Sequence, residues 1–127
     1  MTTSGAGRSL DGVCFRPASD VEGGEVDPTT IFRFHEEGGV VWAEYSGGAI
    51  RKGFLVGTRR GQMLKLRYVQ LNDAGETSSG RATDVVEIDP DGRLRLRELW
   101  EWESKEGSGT STLVEVGDDA PPPTDPP

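Results

Sequence analysis

The chain has 127 residues, with 22 acids against 14 lysines and arginines, and a formal charge of −8. That length supports one domain rather than two cores of ordinary size. The acidic balance argues against nucleic acid as a partner, and no apolar run approaches the roughly 20 residues of a membrane span.

Residues 1–9 (MTTSGAGRS) hold nothing to bury and read as a disordered tail. They lack the basic-then-apolar layout of a signal peptide. The single Cys14 cannot close an internal disulfide, so a cytoplasmic location is expected. Residues 10–116 then read as one domain. Runs rich in Val, Ile, Leu and aromatic residues predict strands near 12–17, 30–36, 40–46, 49–57, 63–71, 77–88, 93–103 and 110–116. Gly, Asn and Asp clusters break them, among them Gly47-Gly48, Asp73-Ala74-Gly75 and Asp89-Pro90-Asp91-Gly92. The acidic, glycine-rich stretch 18–28 reads as a long loop. No window carries a 3.6-residue apolar period, so no substantial helix is expected. Residues 117–127 (GDDAPPPTDPP) read as a second disordered tail, without a PxxP core flanked by a basic residue.

Eight short strands joined mostly by hairpins predict an antiparallel meander. Closing it removes both exposed edges. The expected fold is therefore all-β, a small up-and-down barrel of about eight strands, calycin-like in the manner of lipocalins and avidins.

Turn chemistry predicts several registers. A three-residue Pro90-Asp91-Gly92 loop, with Gly92 left-handed, sets Ile88 opposite Leu94 and Val86 opposite Leu96. It also leaves Glu87–Arg95 and Arg81–Glu101 as opposite-charge pairs outside. A four-residue loop would put Ile88 and Arg93 on one face, which the pattern rejects. The same ladder brings Asp84 beside Glu98, Ala82 beside Trp100 and Gly80 beside Trp102. The Asp73-Ala74-Gly75 turn pairs Gln70 with Ser78, Tyr68 with Gly80 and Leu66 with Ala82. The Gly47-Gly48 pair predicts a two-residue hairpin with Tyr45 opposite Ile50 and Glu44 opposite Arg51. Either face of that hairpin drags a charge inward: Tyr45 and Ile50 bring Lys52, whereas Trp42 and Leu55 bring Glu44 and Arg51. Gly53 and Gly57 mark bends or close backbone approach.

These registers make Tyr68, Gln70, Asp84, Glu98, Trp100 and Trp102 candidate lumen residues. Rings packed over Gly80 would fill a tight barrel; equally, they would line one end of a ligand cavity. Two facing carboxylates cannot both ionise cheaply, so Asp84 and Glu98 form an acid–base pair, a cation site or a hydrogen-bonding pair for a polar ligand, or else sit wet near the mouth or bonded to Tyr and Trp groups. No metal site is expected, since Cys14 and His35 are single and distant. His35, beside Glu36 and Glu37, reads as a surface residue rather than a catalytic base. Arg93, Arg95 and Arg97 alternate outward against Glu87 and Glu101, a solvated face rather than a nucleic-acid stripe.

The order Phe15-Arg16-Pro17, Tyr45-Ser46-Gly47-Gly48, Gly53 to Gly57, Arg67-Tyr68, Gly80, Glu98-Leu99-Trp100-Glu101-Trp102 and Gly109-Thr110-Ser111 to Glu115 resembles a family of small bacterial proteins. Its members are commonly labelled N-acetylglutamate synthase, an activity that transfers acetyl from a coenzyme A thioester; the resemblance itself implies membership in that family, with no site to carry over except as packing positions. The usual acetyltransferase cradle is a Q/R-x-x-G-x-G/A loop opening a helix. Arg59-Arg60-Gly61-Gln62 departs from that spacing and opens a strand. The leading expectation is a barrel, not an enzyme and without cofactor, that binds a small polar or amphipathic molecule in one mouth. A solid-cored structural or protein-interaction domain, and the acetyltransferase of the label or another catalyst using Asp84 and Glu98, are the alternatives.

Overall fold

The computed structural model describes residues 7–117. Its strands are β1 (Cys14–Pro17), β2 (Ile31–Glu37), β3 (Val40–Gly47), β4 (Ile50–Arg60), β5 (Met63–Asn72), β6 (Thr77–Ile88), β7 (Leu94–Trp102) and β8 (Ser108–Glu115). Each pairs antiparallel with its sequence neighbours, and β8 returns to β1, so the sheet closes into an eight-stranded barrel. Closure leaves no unpaired edge.

The β5–β6 and β6–β7 registers are those the turns predict. Gln70 faces Ser78 and Tyr68 faces Gly80; Asp84 faces Glu98 and Ile88 faces Leu94. Gly75 and Gly92 adopt φ of 81° and 86°, the left-handed conformation that only glycine enters without strain. Outside the barrel Arg81 meets Glu101 at 2.7 Å, and Glu87 takes Arg97 at 2.8 Å.

The β3–β4 hairpin differs from expectation. Gly47, not Tyr45, faces Ile50, and Tyr45 faces Gly53. The two-residue connection is therefore Gly48-Ala49, and Arg51 and Lys52 together oppose the single Ser46. This β-bulge resolves the conflict over which face is inward. Val41, Ala43, Tyr45, Ile50 and Leu55 are all buried, while Arg51 and Lys52 both point out. The cause is tertiary: the Thr30 hydroxyl donates to the Gly47 carbonyl at 3.0 Å, so the preceding loop holds this turn. A side chain at Gly47 would collide with the Thr29 carbonyl.

The connections β1–β2, β3–β4, β5–β6 and β7–β8 share one end of the barrel, and the other three share the opposite end. That opposite end is packed solid. Phe15 and Phe34 meet edge-to-face at 5.3 Å among Leu64, Val86, Leu94 and Leu96. Leu10 plugs it, fully buried, with its N–H donating to the Glu36 carboxylate at 2.9 Å. Arg8 belongs to this plug rather than to a free tail. Its carbonyl accepts from Arg59, which also pairs with Glu36 at 2.8 Å. The remaining tail expectations, on residues 1–6 and 118–127, lie outside the described residues.

Candidate functional site

The end carrying the β1–β2 connection holds a cavity. Alternation along β5, β6 and β7 turns Tyr68, Gln70, Ala82, Glu98, Trp100 and Trp102 inward, as a period-2 reading requires. Phe32 and Tyr45, stacked at 4.4 Å, close the opposite wall. Rings lie over glycines, but not all over the glycine expected. Tyr68 covers Gly80, Tyr45 covers Gly53, and Trp100 covers Gly109. Trp100 and Trp102 meet edge-on at 5.7 Å, and Tyr68 meets Trp102 at the same distance.

Five of the six candidate residues line the cavity. The sixth, Asp84, lies behind Glu98 and is wholly buried. The two carboxyls face each other across the ladder, close enough to interact. No other donor among the described residues reaches either Asp84 oxygen. Burial, then the neighbouring charge of Glu98, pushes the Asp84 carboxyl well above the usual carboxylate range. Burial also raises Glu98, against the opposing pull of Asp84 and of the Ser111 hydroxyl, which donates at 3.3 Å. Burial and then Glu98 hold the Tyr45 and Tyr68 hydroxyls protonated. The mouth-solvated alternative fails for Asp84, which has no exposed surface.

Residues 18–30 fold across the mouth as the long loop that composition predicts, and a residue not anticipated anchors them. The Glu25 carboxylate accepts from Gln70 Nε2 at 3.0 Å and from Asn72 Nδ2 at 2.7 Å. Because a carboxylate only accepts, Gln70 must turn its amide nitrogen to Glu25. Its oxygen is then free to accept from Tyr45 at 2.8 Å. Trp102 Nε1 donates to the Gly23 carbonyl at 3.1 Å. Nothing local distinguishes Glu25 from Asp20 or Glu22. The available signal was an acidic loop ending where Gln70 and Asn72 emerge. With the loop seated, the cavity measures about 40 Å³, enough for two or three waters at roughly 10–15 Å³ each.

His35 lies outside the barrel, stacked on Trp42 and bonded to Glu44 at 2.7 Å. Among the described residues no three His, Cys, Asp or Glu side chains gather as a metal ion requires.

This geometry matches a known architecture. The structure described as biotin binding protein from chicken superposes with a TM-score of 0.60 at 13% identity, covering 90% of this chain and 100% of that one. At that identity the likeness speaks to the fold. No curated protein matches the sequence. The family model for avidin-like proteins matches residues 8–116, nearly the whole described barrel, and the chain belongs to that family.

Proposed function

We propose that the barrel binds a small polar or amphipathic molecule in its mouth, beneath the loop 18–30. The observation that carries this reading is the contrast between the two ends. One is packed solid with aliphatic and phenyl groups. The other surrounds a cavity with rings and with Tyr45, Gln70, Glu98 and Ser111, and is closed by a loop that hydrogen-bonds through Glu25 and Gly23 and packs Val21 and Val26 beneath it. Rings around a few converging polar groups are the usual make-up of a small-molecule pocket. Membership in the avidin-like family and the likeness to a biotin-binding protein support the same reading, and make biotin the first compound to try. A ligand of any size must lift the loop, so affinity falls by the fraction of time the mouth is open.

A second reading, a filled barrel serving as a structural or interaction domain, draws on the cavity volume. About 40 Å³ lies far below the ~300 Å³ of ordinary ligand pockets. The acetyltransferase reading draws on nothing comparable. Gly61 and Gln62 form a strand-to-strand turn, and no described residue opens a helix to cradle a pyrophosphate. The deciding experiment is a thermal-shift screen with biotin, acetyl-CoA, glutamate and common metabolites, run on the parent chain and on Glu25→Ala. A ligand should raise the melting temperature of both, and more in Glu25→Ala. No rise in either would leave the filled barrel.

A further inference from the structure

We propose that the pocket takes a compact organic ammonium ion, held between the Glu98 carboxylate and the faces of the surrounding rings; this rests on the ligand-binding reading above. Three observations converge on that chemistry. Phe32, Tyr45, Tyr68, Trp100 and Trp102 line it with aromatic rings, the groups that attract a cation within about 6 Å of a ring centroid. The charged side chains lining the cavity are both acidic, Glu25 and Glu98, and no Lys, Arg or His lines it among the described residues. Behind Glu98, the fully buried Asp84 has no donor other than its partner carboxyl. An anion entering this cavity meets two acidic side chains and no cationic counterpart. A neutral ligand leaves those acids without a counter-ion. An ammonium ion pairs with them and gains the rings as well.

The protein already makes one such contact at this mouth. In the β7–β8 turn, Lys105 sets its Nζ 4.4 Å from the centroid of the Trp102 ring. A cation therefore sits comfortably on the ring that borders the cavity. The seated loop leaves room for little beyond a water-sized group. A substituted ammonium thus enters as Glu25 releases Gln70 and Asn72, whose amides become available to an acceptor on the ligand's outer end.

The test is calorimetric titration of the full chain with choline, with its uncharged carbon isostere dimethylbutanol, and with propionate. Choline should bind at one saturable site at least about tenfold more tightly than dimethylbutanol, a difference in line with a desolvated cation–π and ion-pair contact. Glu98→Gln should lose at least about tenfold for choline and leave dimethylbutanol unchanged. Asp84→Asn, which leaves Glu98 charged, should keep choline affinity, and circular dichroism should show both variants folded. Equal affinity for dimethylbutanol, a preference for propionate, or choline binding indifferent to Glu98→Gln would each overturn the ammonium assignment. If all three probes fail while biotin or another metabolite shifts the melting temperature, the ammonium class falls and the pocket reading stands. If nothing shifts it, both fall.

Discussion

Asp84 stands directly opposite Glu98 in the β6–β7 ladder, and both side chains point into the barrel. Asp84 is wholly buried, as no other carboxylate is among the described residues, and Glu98 beside it is partly buried. The arrangement costs stability at neutral pH, because folding must desolvate whatever charge remains on the pair. Such a cost is typical of functional sites rather than of structural cores.

The first prediction follows from linkage. The folded protein holds Asp84 and Glu98 protonated to higher pH than the unfolded chain does. Their contribution to stability is complete below the unfolded values and is lost as pH rises through the folded ones. Stability should therefore decline upward from the ordinary carboxyl range, near 3.8 for Asp84. Asp84→Asn should flatten that decline and stabilise the fold at neutral pH by on the order of 1 kcal/mol. Carbon-detected NMR titration of both carboxyls, with urea melts across pH, checks this. Two independent titrations at ordinary values would show that the pair is uncoupled.

A second prediction concerns the anchor of the loop. Glu25→Ala removes the acceptor of Gln70 and Asn72, both largely buried. Residues 18–30 should exchange amide hydrogen faster and be cut earlier by protease. The global melting temperature should move little, because the lost contacts at a part-exposed carboxylate are worth about 1 kcal/mol. Unchanged exchange in 18–30 would mean that the Trp102–Gly23 bond and the packing of Val21 and Val26 hold the loop without Glu25.

Glycine supplies the third. A methyl group at Gly57 would run into the Lys65 carbonyl, backbone of the partner strand that cannot withdraw without breaking the β4–β5 ladder. At Gly53 it would meet the Tyr45 ring, a side chain that can yield more than backbone but only by loosening its stack on Phe32 and its bond to Gln70. Gly57→Ala should cost about 3 kcal/mol, and Gly53→Ala less. Adding Tyr45→Leu should rescue part of the second loss and none of the first, as equilibrium unfolding would show.

The reaction implied by the N-acetylglutamate synthase label yields the fourth. Given acetyl-CoA and glutamate, the purified protein should release no coenzyme A above background in a thiol assay. Turnover that survives repurification and disappears in Glu98→Gln would restore that activity.

The closed all-β barrel, the paired tryptophans on one wall and the opposition of Asp84 and Glu98 were all legible in the sequence. Each depends on local rules: alternation along a strand, and left-handed glycines at positions 75 and 92 that set the β5–β6 and β6–β7 registers. The β3–β4 hairpin obeys those rules less well because its glycines answer to a distant segment. Thr29 and Thr30 pack on Gly47 and move the turn by one residue. The bulge at Arg51 and Lys52 then keeps Ile50, Gly53 and Leu55 on one face. Glu25 is a stronger case still. It reaches Asn72 across 47 residues of chain, and its neighbours in sequence carry the same charge. Strand register is encoded by residues that touch their own turn. The seat of a loop is decided by whichever buried donors the folded barrel leaves unsatisfied beneath it, and these exist only once all eight strands have closed.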